Sequence, residues 1–256
     1  MPRGVCAFYN FARAGNTPVN LIAVNTTPGI KSTARRLLKQ LAGRDVWQGV
    51  QVKKNTLFTG SSYGGWHICP DGIDSGSIIY SFGAGEDISF DLGMIGKFGT
   101  KVFVFDPTPK SIAWIKAQEL PALLKFYEYG IAGYDGTAKF FPPGNPAHVS
   151  HSVVEKKDSS REAIEVPVRR LQTIMQELGH SKIDILKMDI EGAEYEAVED
   201  ILLSGIPVSQ VLVEFHHRFK SIPVSATRKA IDALNRNGYR IFAVSGSGEE
   251  YSFIKI

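Results

Sequence analysis

Cysteine is scarce in this chain of 256 residues: there are two, Cys6 and Cys69, and no C-x-x-C pair. That argues against a disulfide framework and a cysteine-ligated zinc site, and it fits a reducing compartment. A surplus of one charge is also missing. The formal net charge is +3 and the basic residues gather into no long block, so a nucleic-acid partner is not expected. No apolar run approaches the roughly 18–20 residues of a membrane span. Residues 1–30 lack a basic segment followed by a sustained apolar core, so no signal peptide is expected and a cytoplasmic protein is the default reading. Internal repeats and low-complexity tracts are absent.

What is there suits a folded enzyme-sized domain. Hydrophobic residues make up 43% of the chain, enough for one large core or one core with an appendage. Residues 1–59 read as an N-terminal arm followed by a helix, "KSTARRLLKQLAG", with Lys31, Arg35, Arg36 and Lys39 on a solvated face; this part is a possible lid. Residues 60–256 read as the main domain. "TLFTGSSYGGWHICPDG" is turn-rich. Apolar strands then alternate with helices: "SIIYSF", "KVFVFD", a third strand within "LLKFYEYGIAG", "DILKM" and "SQVLVEFHH" are separated by helical stretches. One of these, "SIAWIKAQEL", is expected to stop at Pro121. The tail "YRIFAVSGSGEEYSFIKI" reads as a hairpin. The pattern implies an α/β fold, a mostly parallel sheet with helices on both faces and an antiparallel C-terminal hairpin. Such sheets bind ligands at the carboxyl ends of their strands.

"SFGAGED" follows the first long strand and opens a helix. Gly83 and Gly85, with Phe82 before them, allow a tight turn and a close backbone approach. Asp106 ends the next strand, where an acid can accept hydrogen bonds from ribose hydroxyls. An adenosine-containing cofactor follows. A dinucleotide loop wants a third glycine, yet Ile88 stands there, and Glu86 and Asp87 would repel a pyrophosphate. They suit an ammonium group. S-adenosylmethionine carries an ammonium and a sulfonium and no phosphate. An NAD-dependent oxidoreductase explains the glycines and Asp106 but not Glu86, Asp87 or Ile88. A non-catalytic binding protein on the same sheet is the third reading.

"KIDILKMDIEGAEYEAVED" resembles the signature of FkbM-type methyltransferases, and "GYDGTAKF" and "VLVEFHH" resemble that family's later blocks. The resemblance covers about residues 60–256. It implies a Rossmann-like class I methyltransferase fold with a seven-stranded sheet and an S-adenosylmethionine cofactor. It implies O-methylation of a sugar, glycan or natural-product hydroxyl. By the same analogy Gly83, Gly85, Asp106 and the turn Gly130, Ile131 and Ala132 contact the cofactor. Ser81 stands where such enzymes commonly have an aspartate, so Glu86 or Asp87 is expected to hold the ammonium.

A hydroxyl is a poor nucleophile, so a group that takes its proton is sought at the same rim. Asp189 and Glu191 end the fourth strand; Glu214 and His216 end the fifth. Spacing by two puts Glu214 and His216 on one side of the chain and Phe215 and His217 on the other. Glu214 or His216 is the expected base, with Asp189 orienting the acceptor or the reactive methyl end. No metal is expected, although Asp189, Glu191, Glu214 and His216 offer donors for magnesium or manganese. Glu191 and Glu194 also suit a helix start, and Tyr195, Val198 and Leu202 its core face. Tyr63, Trp66, His148 and His151 could wall the acceptor site.

Overall fold

Alternating faces along each strand are the feature from which the architecture follows. The computed structural model describes residues 45–46, 48–141, 163–219 and 221–256. The expected helix over 31–43 lies outside them, as do His148 and His151.

The first strands are short: β1, Leu57–Thr59, and β2, Trp66–Ile68. Next come β3, Ile78–Phe82, α1, Ser89–Phe98, β4, Lys101–Phe105, α2, Pro109–Lys116, and β5, Leu124–Tyr127. The middle of the chain holds β6, Gly130–Ile131, β7, Gly136–Phe140, β8, Ile164–Arg169, and α3, Leu171–Leu178. Then follow β9, Ile183–Met188, α4, Glu194–Ser204, β10, Val208–Glu214, α5, Val224–Arg236, β11, Tyr239–Val244, and β12, Glu250–Lys255.

Seven strands form one sheet in the order β11-β12-β10-β9-β3-β4-β5. β3, β4, β5, β9 and β10 run parallel, and β12 is antiparallel to both β10 and β11. Chain order reverses between β3 and β9, which opens a crevice at their carboxyl ends. Every residue of β9 is buried, so this strand lies at the centre.

The period of two divides the core. Tyr80 and Phe82 of β3, Phe103 and Phe105 of β4, and Leu186 and Met188 of β9 face one way. Onto them pack α3, α4 and α5 through Ile174, Val198 and Ile231 among others. Ile79, Val102, Val104 and Ile185 face the other way, against Phe90 and Met94 of α1, Ile115 of α2, and Trp66 and Ile68 of β2. Each such large apolar side chain contributes about 1.5–3 kcal/mol by leaving water. The rings of Phe82 and Phe105 stack at 4.4 Å, which stiffens the strand ends that carry the crevice.

Some local expectations change. The turn-rich stretch contains the antiparallel hairpin β1–β2, so pairing begins earlier than the sequence pattern suggests. A second small sheet, β6-β8-β7, stands apart from the main one. α2 ends at Lys116, ahead of Pro121, because backbone and side chain of Gln118 take the last-turn carbonyls of Ile115 and Trp114. Among the described residues before 60, Asp45, Gln51 and Val52 are tied to the main sheet and the turn after β10. The N–H groups of Gln51 and Val52 both donate to Ile241 O, and buried Asp45 holds His217 and Arg218 at 2.8 Å each. No helix among the described residues is long and apolar enough to cross a membrane.

Candidate active site

A cleft of about 700 Å³ lies where chain order reverses, within the range of about 300–1,000 Å³ usual for small-molecule sites. Its floor is the loop after β3. Gly83 has φ 83°, and a Cβ there would stand 1.7 Å from the carbonyl oxygen of Asp189. Only glycine lets the loop lie against the end of β9. Phe82, Gly85, Glu86, Asp87, Asp106, Gly130 and Ile131 also line the cleft. Ala132 is buried beside it, its N–H donating to Arg169 O.

Asp106 shapes this loop. One carboxylate oxygen accepts from the N–H groups of Ala84 and Gly85, both at 3.0 Å; the other accepts from the N–H and hydroxyl of Thr108. A carboxylate has about four acceptor positions, and protein donors occupy all of them here. Any further donor, such as the ribose hydroxyl expected there from the sequence, would have to displace one of these groups. Asp87 has its own partners: it accepts from the Ser89 N–H at 2.7 Å and the Ser61 hydroxyl at 2.6 Å. Burial opposes its ionisation, but these hydrogen bonds outweigh it and hold its pKa below the usual carboxylate value. Glu86 is half-exposed and faces Lys110 at 3.6 Å.

Two buried charges beneath the loop escaped the sequence reading. Lys187, register partner of Ser81, donates to Gly83 O at 2.7 Å and reaches the cleft wall. Asp91 on α1 is buried with Oδ1 lacking a hydrogen-bond partner, and burial pushes its pKa up to about 6 despite the charge of Lys187. A lysine set among Ile185, Leu186 and Met188 in a buried run is the signal that could have flagged Lys187.

At the far end of the cleft the two strand ends converge. His216 Nε2 lies 3.8 Å from Asp189 Oδ1, 3.6 Å from Glu191 Oε2 and 4.0 Å from Glu214 Oε1. Glu191 reaches in from a left-handed backbone, φ 51°, rare for a residue with a side chain. Glu194, expected as a helix-start residue, does more. Fully buried, it accepts from the N–H groups of Gly192 and His216 at 2.8 Å and faces His216 Nδ1 at 3.1 Å. Phe215 points into the core and His217 toward Asp45. Burial, then the charge of Asp189, raises the pKa of Glu214. Burial favours neutral His216, but the hydrogen bond and charge of Glu194, with Asp189 and Glu191, outweigh it and raise its pKa. Tyr63 stands 85% exposed at the rim beside Trp66.

This strand order, with a glycine loop after the first parallel strand and a reversed hairpin at the edge, is that of class I methyltransferases. The methyltransferase FkbM domain model matches residues 5–241, and the chain belongs to that family. It is 29% identical over 156 residues to probable methyltransferase-like protein 24 of Homo sapiens, covering 60% of this chain and 36% of that protein. The Rattus norvegicus protein of the same name is 27% identical over 175 residues, covering 64% and 42%. The chain thus matches well under half the length of these relatives. A crystal structure of methyltransferase FkbM from Methylobacillus flagellatus KT superposes with a TM-score of 0.44 at 12% identity, covering 71% of this chain and 44% of that one.

Proposed function

We propose that the protein transfers a methyl group from S-adenosylmethionine to a hydroxyl of a small-molecule or glycan acceptor. The observation that carries the choice of cofactor is the carboxylate of Asp87 seated on the first N–H of α1, at 2.7 Å. That helix end is where a dinucleotide would place its pyrophosphate. It is already capped by an acid, and Glu86 stands next to it. The nearest buried cation, Lys187, is directed to Gly83 O. The loop therefore favours an ammonium over a phosphate.

The residues fit the cofactor in other respects. Gly83 leaves room that any Cβ would fill, and Gly85, Gly130, Ile131 and Ala132 continue a wall of small and apolar groups. Asp106 fixes the loop's curvature and marks the ribose end. Glu86 or Asp87 receives the ammonium. When bound, S-adenosylmethionine supplies an electrophilic methyl on sulfur. Transfer to the acceptor oxygen would break the carbon–sulfur bond and leave a neutral thioether.

The chain's own work is positioning and proton handling. Asp189 sits where the cleft meets the acid cluster and orients the acceptor hydroxyl. Glu214 or His216 receives its proton, with Glu194 fixing the imidazole. Tyr63 and Trp66 offer aromatic surface to a sugar or other ring.

Isothermal titration with S-adenosylmethionine and with NADH tests this reading. Binding of the first without the second is expected. Tight NADH binding with no response to S-adenosylmethionine would overturn it. Incubation of small-molecule extracts with isotopically labelled cofactor, read by mass spectrometry, then identifies the acceptor by a gain of one labelled methyl.

A further inference from the structure

We infer that Asp189, Glu214 and His216 form a divalent-cation site at the acceptor end of the cleft, suited to manganese or magnesium. One ligand atom from each of the three lies within 4.8 Å of the others. Ligands about 2.0–2.2 Å from a six-coordinate ion stand about 3 Å apart when adjacent and about 4.3 Å apart when opposite. The spacings of 3.8 Å and 4.0 Å from Nε2 to the two carboxylates fall within that span.

The imidazole gives the second argument. His216 has a side chain 8% exposed, and its Nε2 is aimed among the three carboxylates at 3.6–4.0 Å, beyond hydrogen-bond reach of each. Its Nδ1 is committed to fully buried Glu194. With Nδ1 turned to Glu194, Nε2 is the nitrogen that faces the cleft carboxylates, and an ion bound there would replace the proton on it. A carboxylate that orients a ligating histidine through its other nitrogen is a recurrent arrangement behind metal ions.

Charge points the same way. Asp189, Glu191 and Glu214 converge at one end of the cleft, and Glu250 lines it too. The neighbouring cations have other partners: Lys187 donates to Gly83 O, and Arg218 pairs with Asp45 and Glu249. Two carboxylates and one imidazole suit a hard cation better than a thiophilic one. Asp189 and Glu214 line the cleft, so the ion's remaining positions face the acceptor. An acceptor with two adjacent oxygens, a vicinal diol or a hydroxy acid, would chelate there.

This deepens the methyl-transfer reading and rests on it for the acceptor; ion binding itself does not. The coordinated hydroxyl becomes more acidic and releases its proton through the open cleft to water. Oxygen–carbon formation and carbon–sulfur cleavage are as before. Glu214 and His216 then hold the ion instead of receiving the proton.

The test is titration of the full 256-residue chain with Mn2+ alone, followed by loss of the free-ion electron paramagnetic resonance signal. One site per chain is expected, weakened at least about tenfold in His216→Ala and in Glu214→Gln. Paramagnetic broadening in the unaltered protein gives a readout that needs no variant: the ring signals of His216 should broaden first, ahead of those of His67, His180 and His217. No bound Mn2+, unchanged affinity in both variants, or broadening that spares His216 would overturn the site. Isothermal titration with S-adenosylmethionine keeps the two ideas separate. Cofactor binding without Mn2+ binding sinks the cation site alone. Mn2+ binding without cofactor binding leaves the site standing and sinks the methyl-transfer reading.

Discussion

Oε1 of Glu194 accepts from the backbone N–H of His216 at 2.8 Å and faces its Nδ1 at 3.1 Å. One buried carboxylate at the start of α4 therefore fixes both the main chain and the ring of a histidine just past β10. Glu194→Ala strands three donors, those of Gly192 and the two on His216. Unmade buried hydrogen bonds cost about 1–3 kcal/mol each, so a stability loss of at least about 3 kcal/mol is expected by urea unfolding. Glu194→Gln should restore much of that stability while turnover stays low and cofactor affinity is kept.

Gly83→Ala should damage the cleft outright. The new Cβ would meet the carbonyl oxygen of Asp189 at 1.7 Å, in a backbone conformation that side chains avoid. Loss of S-adenosylmethionine binding in isothermal titration is expected, with a melting temperature several degrees lower.

Asp106→Asn separates loop shape from loop composition. The amide replaces an oxygen that accepts two hydrogen bonds, either from Ala84 and Gly85 or from Thr108. A loss of about 2–3 kcal/mol in unfolding free energy is expected. Cofactor affinity should fall about tenfold or more, equivalent to at least about 1.4 kcal/mol.

Asp91 gives a pH dependence with a definite sign. Burial raises its pKa to about 6 from 3.8, so the folded state holds the proton more tightly than the unfolded chain. Stability is then full below about pH 3.8 and declines as pH rises through about 6. The shift corresponds to about 3 kcal/mol. Asp91→Asn should be the more stable protein at pH 7–8, and the gap should close toward pH 4. Parallel urea curves across that range check it.

For the transfer step, Glu214→Gln or His216→Ala should lower turnover by about 10²–10⁴-fold. Affinity for S-adenosylmethionine should stay within about threefold, since a group acting on the acceptor need not hold the cofactor. Quantifying S-adenosylhomocysteine and titrating the cofactor gives both numbers.

Much of the main sheet could be read from the chain because its strands are apolar and its helices periodic. β3, β4, β9 and β10 coincide closely with the runs read as strands, and Gly99 and Gly179 end α1 and α3 in left-handed turns. β1, β2 and β6, of two or three residues, are too short for a period to show. At the site, spacing alone put Glu214 and His216 on one side. The role of Glu194 was hidden, because a carboxylate in a first helical turn looks the same whether it meets water or a histidine. Asp106 was visible at its strand end, but the glycine loop folding back onto it was not. Such contacts depend on where distant segments come to rest.

Asp45 grips His217 and Arg218, the two residues that follow His216. Asp45, upstream of the first described strand, is thus leashed to the lip of the cleft. A shortened form starting near residue 60 would release that grip, and the disturbance would surface around His216, about 150 residues downstream of the cut.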